Sequence, residues 1–187
     1  MRRKDREMSA EFGLSVIDKA QFGVLSLVNM ENEVYSLPLS IARDGDRLYF
    51  HSATAGLKTE LLEDGKKVRV VFVSDVRVPD LLDEQTLDQI VQEGQDLGTL
   101  GSKVFTTEYA SAIVSGRVTK LRDDQQKLHG LRIISEKFVP AKMAYFEAAA
   151  SASLDITDVY QIEIESVTAK RKKFDQQGQE MKFQRME

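Results

Sequence analysis

Residues 36–58 read SLPLSIARDGDRLYFHSATAGLK, and this stretch decides how the chain is read. Residues 34–41 are largely apolar and suit an extended strand. Arg43-Asp44-Gly45-Asp46 follows, with Asp-Gly at its centre, a strong short-range hairpin signal. Residues 47–51 return as the next strand. Ser52, Ala53, Thr54, Ala55 and Gly56 then form a loop of small residues. A short helix over about 57–63 follows, with Leu61 and Leu62 inward, and Gly65 can take the left-handed conformation beyond its end. Small residues let backbone N–H groups approach an anion, and a helix N-terminus with Lys58 adds positive potential. That is the chemistry of a phosphate cradle. The same pattern occurs at many strand-to-helix junctions, so it does not by itself assign a ligand.

Working outward, residues 9–21 have helical periodicity through Phe12, Leu14, Val16, Ile17 and Ala20, with Ser9 placed to cap the start. Residues 22–28 form an apolar strand that ends in a polar turn at 29–33. With 34–41 and 47–51 it predicts a three-strand meander. Residues 67–74 form a further strand, whose apolar run predicts burial on both faces. Residues 75–102 look like an insertion: Pro79 breaks the strand, Leu81, Leu82, Leu87, Ile90 and Val91 make a helical face, and Gly94, Gly98 and Gly101 mark the return. Strands are expected again at 103–107 and 111–121. A helix from Asp123-Asp124 to about Phe138 stops before Pro140. A helical turn or two covers 142–150, and 159–167 is the last strand. The polar tail, 174–187, is expected to be mobile or packed on an edge. This predicts an α+β, mostly β chain: a small β-barrel of six to seven mainly antiparallel strands with peripheral helices, one domain over 1–187, which the resemblance described below makes a split β-barrel.

The 187 residues are 42% hydrophobic, enough for a core without disulfides, and cysteine is absent, which excludes thiolate metal sites and a Cys nucleophile. The net charge of −4 makes the chain a poor general polyanion binder. Two basic runs, 2–4 and 170–173, read as solvated surface in preference to a nucleic-acid contact. No nucleic-acid or membrane partner is expected. No apolar segment follows the basic start, so no secretory leader is expected, and no run approaches the ~20 residues of a membrane span. A cytoplasmic location is the expectation. The acidic residues Asp80, Asp83, Glu84 and Asp88 lack calcium-loop spacing, and no metal site is expected. His129, alone in a helix, reads as surface or core. Of Tyr49 and Phe50, one is expected in the core.

The order strand, Pro-Leu, Asp-Gly turn, Leu-Tyr-Phe-His-Ser-Ala, Gly-x-Lys resembles the FMN-binding split-barrel superfamily related to pyridoxamine 5′-phosphate oxidase. Within it the chain is similar to the nitroimidazole-resistance branch. The opening Met-Arg-Arg-Lys-Asp-Arg-Glu and the closing Ile162-Glu-Ile-Glu-Ser-Val-Thr-Ala-Lys-Arg171 also carry the likeness, while 75–102 departs from it. The resemblance implies that Ser36, Leu37, Pro38 and Leu39 pass along the flavin ring. It places His51, Ser52 and Ala53 at a strand end reaching the ring and phosphate arm. It gives Lys58 the phosphate, and puts Ser111, five residues before Gly116, where a partner subunit's side chain meets the flavin. Where the oxidase branch has Arg before that lysine, this chain has Leu57. Where that branch's flavin strand begins with Arg and ends with Lys, it has Ser36 and Ile41. Both departures argue against a true pyridoxamine-phosphate oxidase.

The resemblance implies FMN as cofactor, a homodimer, and an oxidoreductase that reduces nitroaromatic or similar small-molecule electron acceptors; because imidazole titrates near neutral pH, His51 beside the ring is the expected catalytic proton donor. No GxGxxG fingerprint is present, so NAD(P)H would dock only transiently. The alternative is a non-catalytic flavin- or haem-binding module for sensing or storage. Haem ranks lower, because no Cys and no His pair offer strong ligation. A cofactor-free structural dimer is the third reading.

Overall fold

The computed structural model describes residues 3–182. Met1, Arg2 and residues 183–187, the outer ends of the basic start and the polar tail, lie outside the described residues. In chain order the elements are β1 (Glu7–Met8), α1 (Ala10–Lys19), β2 (Gly23–Val28), β3 (Val34–Leu39), β4 (Ala42–Asp44), β5 (Arg47–Ala53) and α2 (Leu57–Leu61). They continue with β6 (Lys67–Arg77), α3 (Glu84–Glu93), β7 (Glu108–Leu121), α4 (Asp124–Phe138), α5 (Phe146–Ser153) and β8 (Thr157–Lys172).

The local chemistry explains most boundaries. Ser9 Oγ accepts the Phe12 N–H at 3.2 Å and starts α1. Asp83 and Asp123 cap α3 and α4 in the same way. Gly94 closes α3 in the left-handed conformation, at φ 63°. The β4–β5 hairpin pairs Asp44 with Arg47, so its two turn residues are Gly45 and Asp46, one position later than the Asp-Gly centre expected.

The described strands form one antiparallel sheet in the order β3-β2-β6-β7-β8-β5-β4, with β1 on β8. The sheet curls without closing, an α+β split barrel. Eight strands are described where six to seven were expected. One is the two-residue β1, and another arises because the expected strand 34–41 is two strands. Ser40 and Ile41 break it, so β3 pairs with β2 while β4 pairs with β5 at the opposite end of the sheet. The expected meander is therefore wrong: a two-residue link between apolar strands is read from sequence as continuous. Lys137 fastens this link, its ammonium donating to the carbonyls of Ile17 and Ile41 at 2.8 Å each.

The expected strand at 103–107 is also wrong. Residues 100–104 form a π-type turn, and β7 begins at Glu108. Val104, Thr106 and Thr107 suit a strand locally, but the backbone bonds close back on the turn instead, the Phe105 N–H donating to the Leu100 carbonyl at 3.0 Å. The other boundaries extend the expectation: β6 runs on to Arg77 through a bulge, and β8 covers 157–172.

The main core fills the inside of the curl. Val16 and Ile17 of α1 meet Leu25, Leu48, Phe50, Val70, Phe72, Val114, Val118, Tyr160 and Ile162. Phe50 stacks on Tyr160 with ring centroids 5.0 Å apart. A second cluster, Ala42, Tyr49, Leu121, Ile134 and Val159, lies under α4. Tyr49 and Phe50 are thus both core, one on each face of β5. Gly116 sits at a bulge where a Cβ would run into the Glu163 carbonyl, so no other residue fits without backbone movement.

β6 is not buried on both faces. Val68, Val70 and Phe72 face the core, while Val73 on the outer face is 47% exposed. Its outer side, apolar at Val71 and Val73 and charged at Lys67 and Arg69, belongs to a wider surface. Pro38, Val24, Val71, Ile113 and Thr168 stand in one cross-strand row, and Ser36, Ser26, Arg69, Ser115 and Ser166 in the next. The tail packs instead of waving free: Phe174 is 5% exposed and bridges to Glu180, which pairs with Arg6 at 2.5 Å.

Candidate functional site

β5 carries its residues to the site by simple alternation. Leu48, Phe50 and Ser52 point inward, and Tyr49 points outward under α4. His51 and Ala53 point outward beyond the cover of α4 and are exposed. The strand persists to Ala53, so His51 and Ser52 face opposite sides, as alternation predicts. The Ser52 hydroxyl is occupied, donating to the Ala53 carbonyl at 2.8 Å, and the Thr59 hydroxyl reaches the same carbonyl at 3.4 Å. Ser52 therefore offers a ligand its backbone only.

Gly56, at φ 115°, turns the chain into α2 in a conformation that glycine alone tolerates, with open space where a Cβ would be. Lys58 follows, half-buried. Burial pushes its ammonium below the ordinary lysine value, and among the described residues no carboxylate lies at ion-pair distance. His51 is pushed below the ordinary imidazole value, first by burial and then by the nearby Lys58 charge. Lys58 is thus a desolvated cation beside the His51 imidazole, without a described carboxylate partner. Helix α2 spans only five residues, so its dipole adds little to this potential.

Of the β3 residues expected here, Leu37 and Leu39 pack against the core, and Ser36 and Pro38 face outward. Ser36 Oγ lies 2.8 Å from Ser26 Oγ. Pro38 and Leu39 line a shallow apolar hollow with Phe22 and Val24. Leu39 lies three residues before Ala42, which pairs with Tyr49. Chain length alone therefore holds the end of β3 within roughly 15 Å of β5. The outer half of β5, past Tyr49, has no β4 partner. Its open edge and the free edge of β3 flank the split.

Ser111 is not part of this grouping within one protomer. It is 7% exposed on β7, between Val73 and Lys170. His51 aligns through Val159 with Leu121, ten residues further along β7. That is roughly 33 Å of strand.

Residue-by-residue reading missed a buried polar cluster beneath α2. Asp158, 5% exposed and opposite Ser52, forms an ion pair with Lys120 at 2.6 Å. Tyr160 is held at about 12, chiefly by burial and then by the Asp158 charge. The available signal was phase: Lys120 follows Val118 on the inward face of β7, and Asp158 precedes inward Tyr160 on β8. A polar residue in an inward position needs a partner.

The likeness read from residues 36–58 and 162–171 is matched by comparison with known proteins. The family model for pyridoxamine 5′-phosphate oxidase matches residues 10–171. The chain belongs to the pyridoxamine 5′-phosphate oxidase-related family. The match spans β3, β5, α2 and Ser111, so every expected site residue falls within the family's extent. Among curated proteins, none matches at a significant level. Solved structures share the fold of this family member at low identity. One is a candidate 5-nitroimidazole antibiotic-resistance protein from Bacteroides thetaiotaomicron, 18% identical, with 88% of this chain and 86% of that one covered and a TM-score of 0.65. Another is an FAD- and haem-binding protein from Mycobacterium smegmatis, 19% identical, covering 89% and 73%, with a TM-score of 0.66. A flavocytochrome from Azotobacter vinelandii is 16% identical, covering 91% and 72%, with a TM-score of 0.64.

Proposed function

We propose that this protein is an FMN-dependent oxidoreductase that works as a homodimer and reduces nitroaromatic or similar small acceptors. The observation that carries the proposal is the end of β5. There a strand that is core on both faces at Tyr49 and Phe50 emerges with His51 exposed and Lys58, a desolvated cation without a described carboxylate partner, close by. A flavin phosphate supplies the missing anion, so the residues fit the group. Lys58 would hold the phosphate, and the backbone of 51–56 would approach it. Leu37–Leu39 would offer the β3 edge to the ring. FMN when bound supplies the electron transfer. His51 would place a proton donor beside the acceptor.

Two features support the dimer. Ser111 lies too far from His51 to serve the same ligand in one protomer, so a second copy is the source of such a contact. The outer rows of β3, β2, β6 and β7 offer the face, with Ile113 in the shared strand. Sedimentation should give about twice the chain mass of 21.1 kDa. A stable monomer that retains flavin would reject this arrangement.

One of the solved structures named above is described as binding FAD and haem and another as a flavocytochrome, which keeps a second reading in view: a non-catalytic flavin or haem module, with His51 or His129 as the available imidazoles. The absorbance spectrum of the purified protein, with mass measurement of the released cofactor, decides first. A flavin spectrum and the mass of FMN support the proposal, a Soret band favours haem, and a colourless protein that takes up no FMN rejects both. Bleaching of a flavin spectrum by NAD(P)H separates turnover from storage.

A further inference from the structure

We propose that residues 78–102 are an acidic arm that docks on a second copy of this chain, seating α3 in a basic hollow on the outer face of β2, β6 and β7. The inference rests on the homodimer proposed above and adds a contact between its two copies. The arm carries Asp80, Asp83, Glu84, Asp88, Glu93 and Asp96 and no lysine, arginine or histidine. Six negative charges exceed the net charge of the whole chain, −4. Among the described residues none of the six meets a cation at ion-pair distance. Residues 75–102 are also where the chain departs from the family likeness, so the contact belongs to this protein in particular.

Leu87, Ile90 and Val91 share one face of α3 by their i, i+3, i+4 spacing, and Glu84 and Asp88 run along its border. The helix buries none of its residues, and Val91 and the following Leu97 stay 61% and 52% exposed. It is capped at Asp83 and Gly94 but spans only ten residues, and isolated helices shorter than about 12–15 residues are marginal in water. Such a helix is held by packing on an apolar surface, which its own protomer does not supply. The hollow is its complement. About 610 Å³ lies among Val28, Val34, Lys66, Lys67 and Arg69. The one carboxylate there, Glu165, is taken by Arg117 at 2.8 Å. Lys66, Lys67 and Arg69 have no carboxylate at ion-pair distance among the described residues. An apolar strip edged with acids thus matches an apolar hollow edged with cations.

Within one protomer the arm and the hollow lie apart. The arm leaves β6 at Arg77, and the hollow sits at Lys67, the other end of the strand, roughly 33 Å away. Two copies stacked on their outer faces with β6 and β7 antiparallel bring the Arg77 end of one over the Lys67 end of the other. The flavin reading requires the same exchange of ends. Ser111 stands near the start of β7 at Glu108, beside the root of the arm, and it is to reach the partner's flavin at the Leu121 end. Lys67 pairs with Arg117, toward that same Leu121 end, so one two-fold axis serves both contacts.

Sedimentation equilibrium of the full chain without flavin tests the contact by exchanging charges. The double change Lys67→Glu with Arg69→Glu should weaken the dimer about tenfold or more, as should Glu84→Lys with Asp88→Lys. All four changes in one chain should restore the parent's dissociation constant to within about threefold. Lys142→Glu, at an exposed lysine outside the hollow, should leave it unchanged. A second measurement needs no variant: carbodiimide coupling of the parent should yield amide links between two chains, from carboxylates of 78–102 to Lys66 or Lys67. A parent dimer that shows neither the charge rescue nor these links overturns the docked arm and leaves the flavin reading standing. A parent that sediments as a monomer overturns the homodimer as well.

Discussion

The two halves of β5 use the same alternation for different ends. In Leu48–Phe50 each outward side chain has α4 over it and each inward one has the barrel, so both faces are dry. In His51–Ala53 the inward side still packs, with Ser52 at 6% exposure, but the outward side has lost its cover. The sequence period does not change between the halves. What changes is the neighbour: α4 covers Tyr49, and β4 stops pairing at the same residue. A strand that is structural for three residues and then presents His51 gains rigidity from the first half without burying the second. Rigid support of this kind holds a reactive group in place at little entropic cost.

The contrast predicts separable mutant phenotypes. Phe50→Ala removes a fully buried ring that stacks on Tyr160, and should cost about 3–5 kcal/mol of stability in denaturant unfolding. A loss well under 1 kcal/mol would mean that the first half of β5 is not the support described. One residue later the effect should move from stability to rate. His51→Ala should leave the unfolding midpoint nearly unchanged and FMN bound, while slowing flavin reoxidation by acceptor about 10²–10⁴-fold. His51→Gln should be nearly as slow, since an amide delivers no proton. Fast reoxidation in both variants, by stopped flow, would show that His51 only packs the pocket.

The depressed His51 value sharpens this through pH. The protonated imidazole is the donor, and burial and Lys58 both disfavour it. The acceptor-dependent rate should therefore rise as pH falls through and below the ordinary imidazole value near 6.5. The stability linkage has the opposite sense. The unfolded chain binds the His51 proton more readily than the folded one, so this residue's contribution is intact above about 6.5 and is lost as pH falls through the lower folded value. Replacing Lys58 removes one of the two depressing influences, and the His51 titration followed by NMR should then move up. A downward move would contradict the proximity of the two groups.

The smallest effect belongs to the covered side. His129 lies 3.1 Å from Asp44 with both side chains about half exposed, and edge-on to Tyr49 at 5.5 Å. His129→Ala should change stability by no more than about 1 kcal/mol and leave flavin binding and rate alone. An effect on rate would mean that α4 is coupled to the site.

Much of this was legible before the structure. Ser9 and Asp123 announce their helices because short polar side chains satisfy free N–H groups. Asp44-Gly45 announces the hairpin because glycine tolerates positive φ. The cation at Lys58 and the imidazole at His51 were visible as chemistry on a strand end. Other features depend on pairing that a local pattern does not encode. Ser40 and Ile41 look like strand, yet they carry the chain across the split, and only the registers Leu39↔Gly23 and Ala42↔Tyr49 reveal it. The run Val70-Val71-Phe72-Val73 puts apolar residues on both sides of β6, so burial was expected on both, although Lys67 and Arg69 already mark the outer side as partly polar. Within one protomer nothing described covers Val73. The Asp158–Lys120 pair escaped because each residue looks like ordinary surface until the strands are aligned.

The central claim is that the end of β5 and Lys58 hold a flavin phosphate. FMN titration, read by quenching of flavin fluorescence, tests it in the parent and in Lys58→Ala. Losing one charge-assisted contact to the phosphate should weaken binding about ten- to a hundredfold, with the unfolding midpoint unchanged. The same dissociation constant in both proteins would place the phosphate elsewhere and contradict the account.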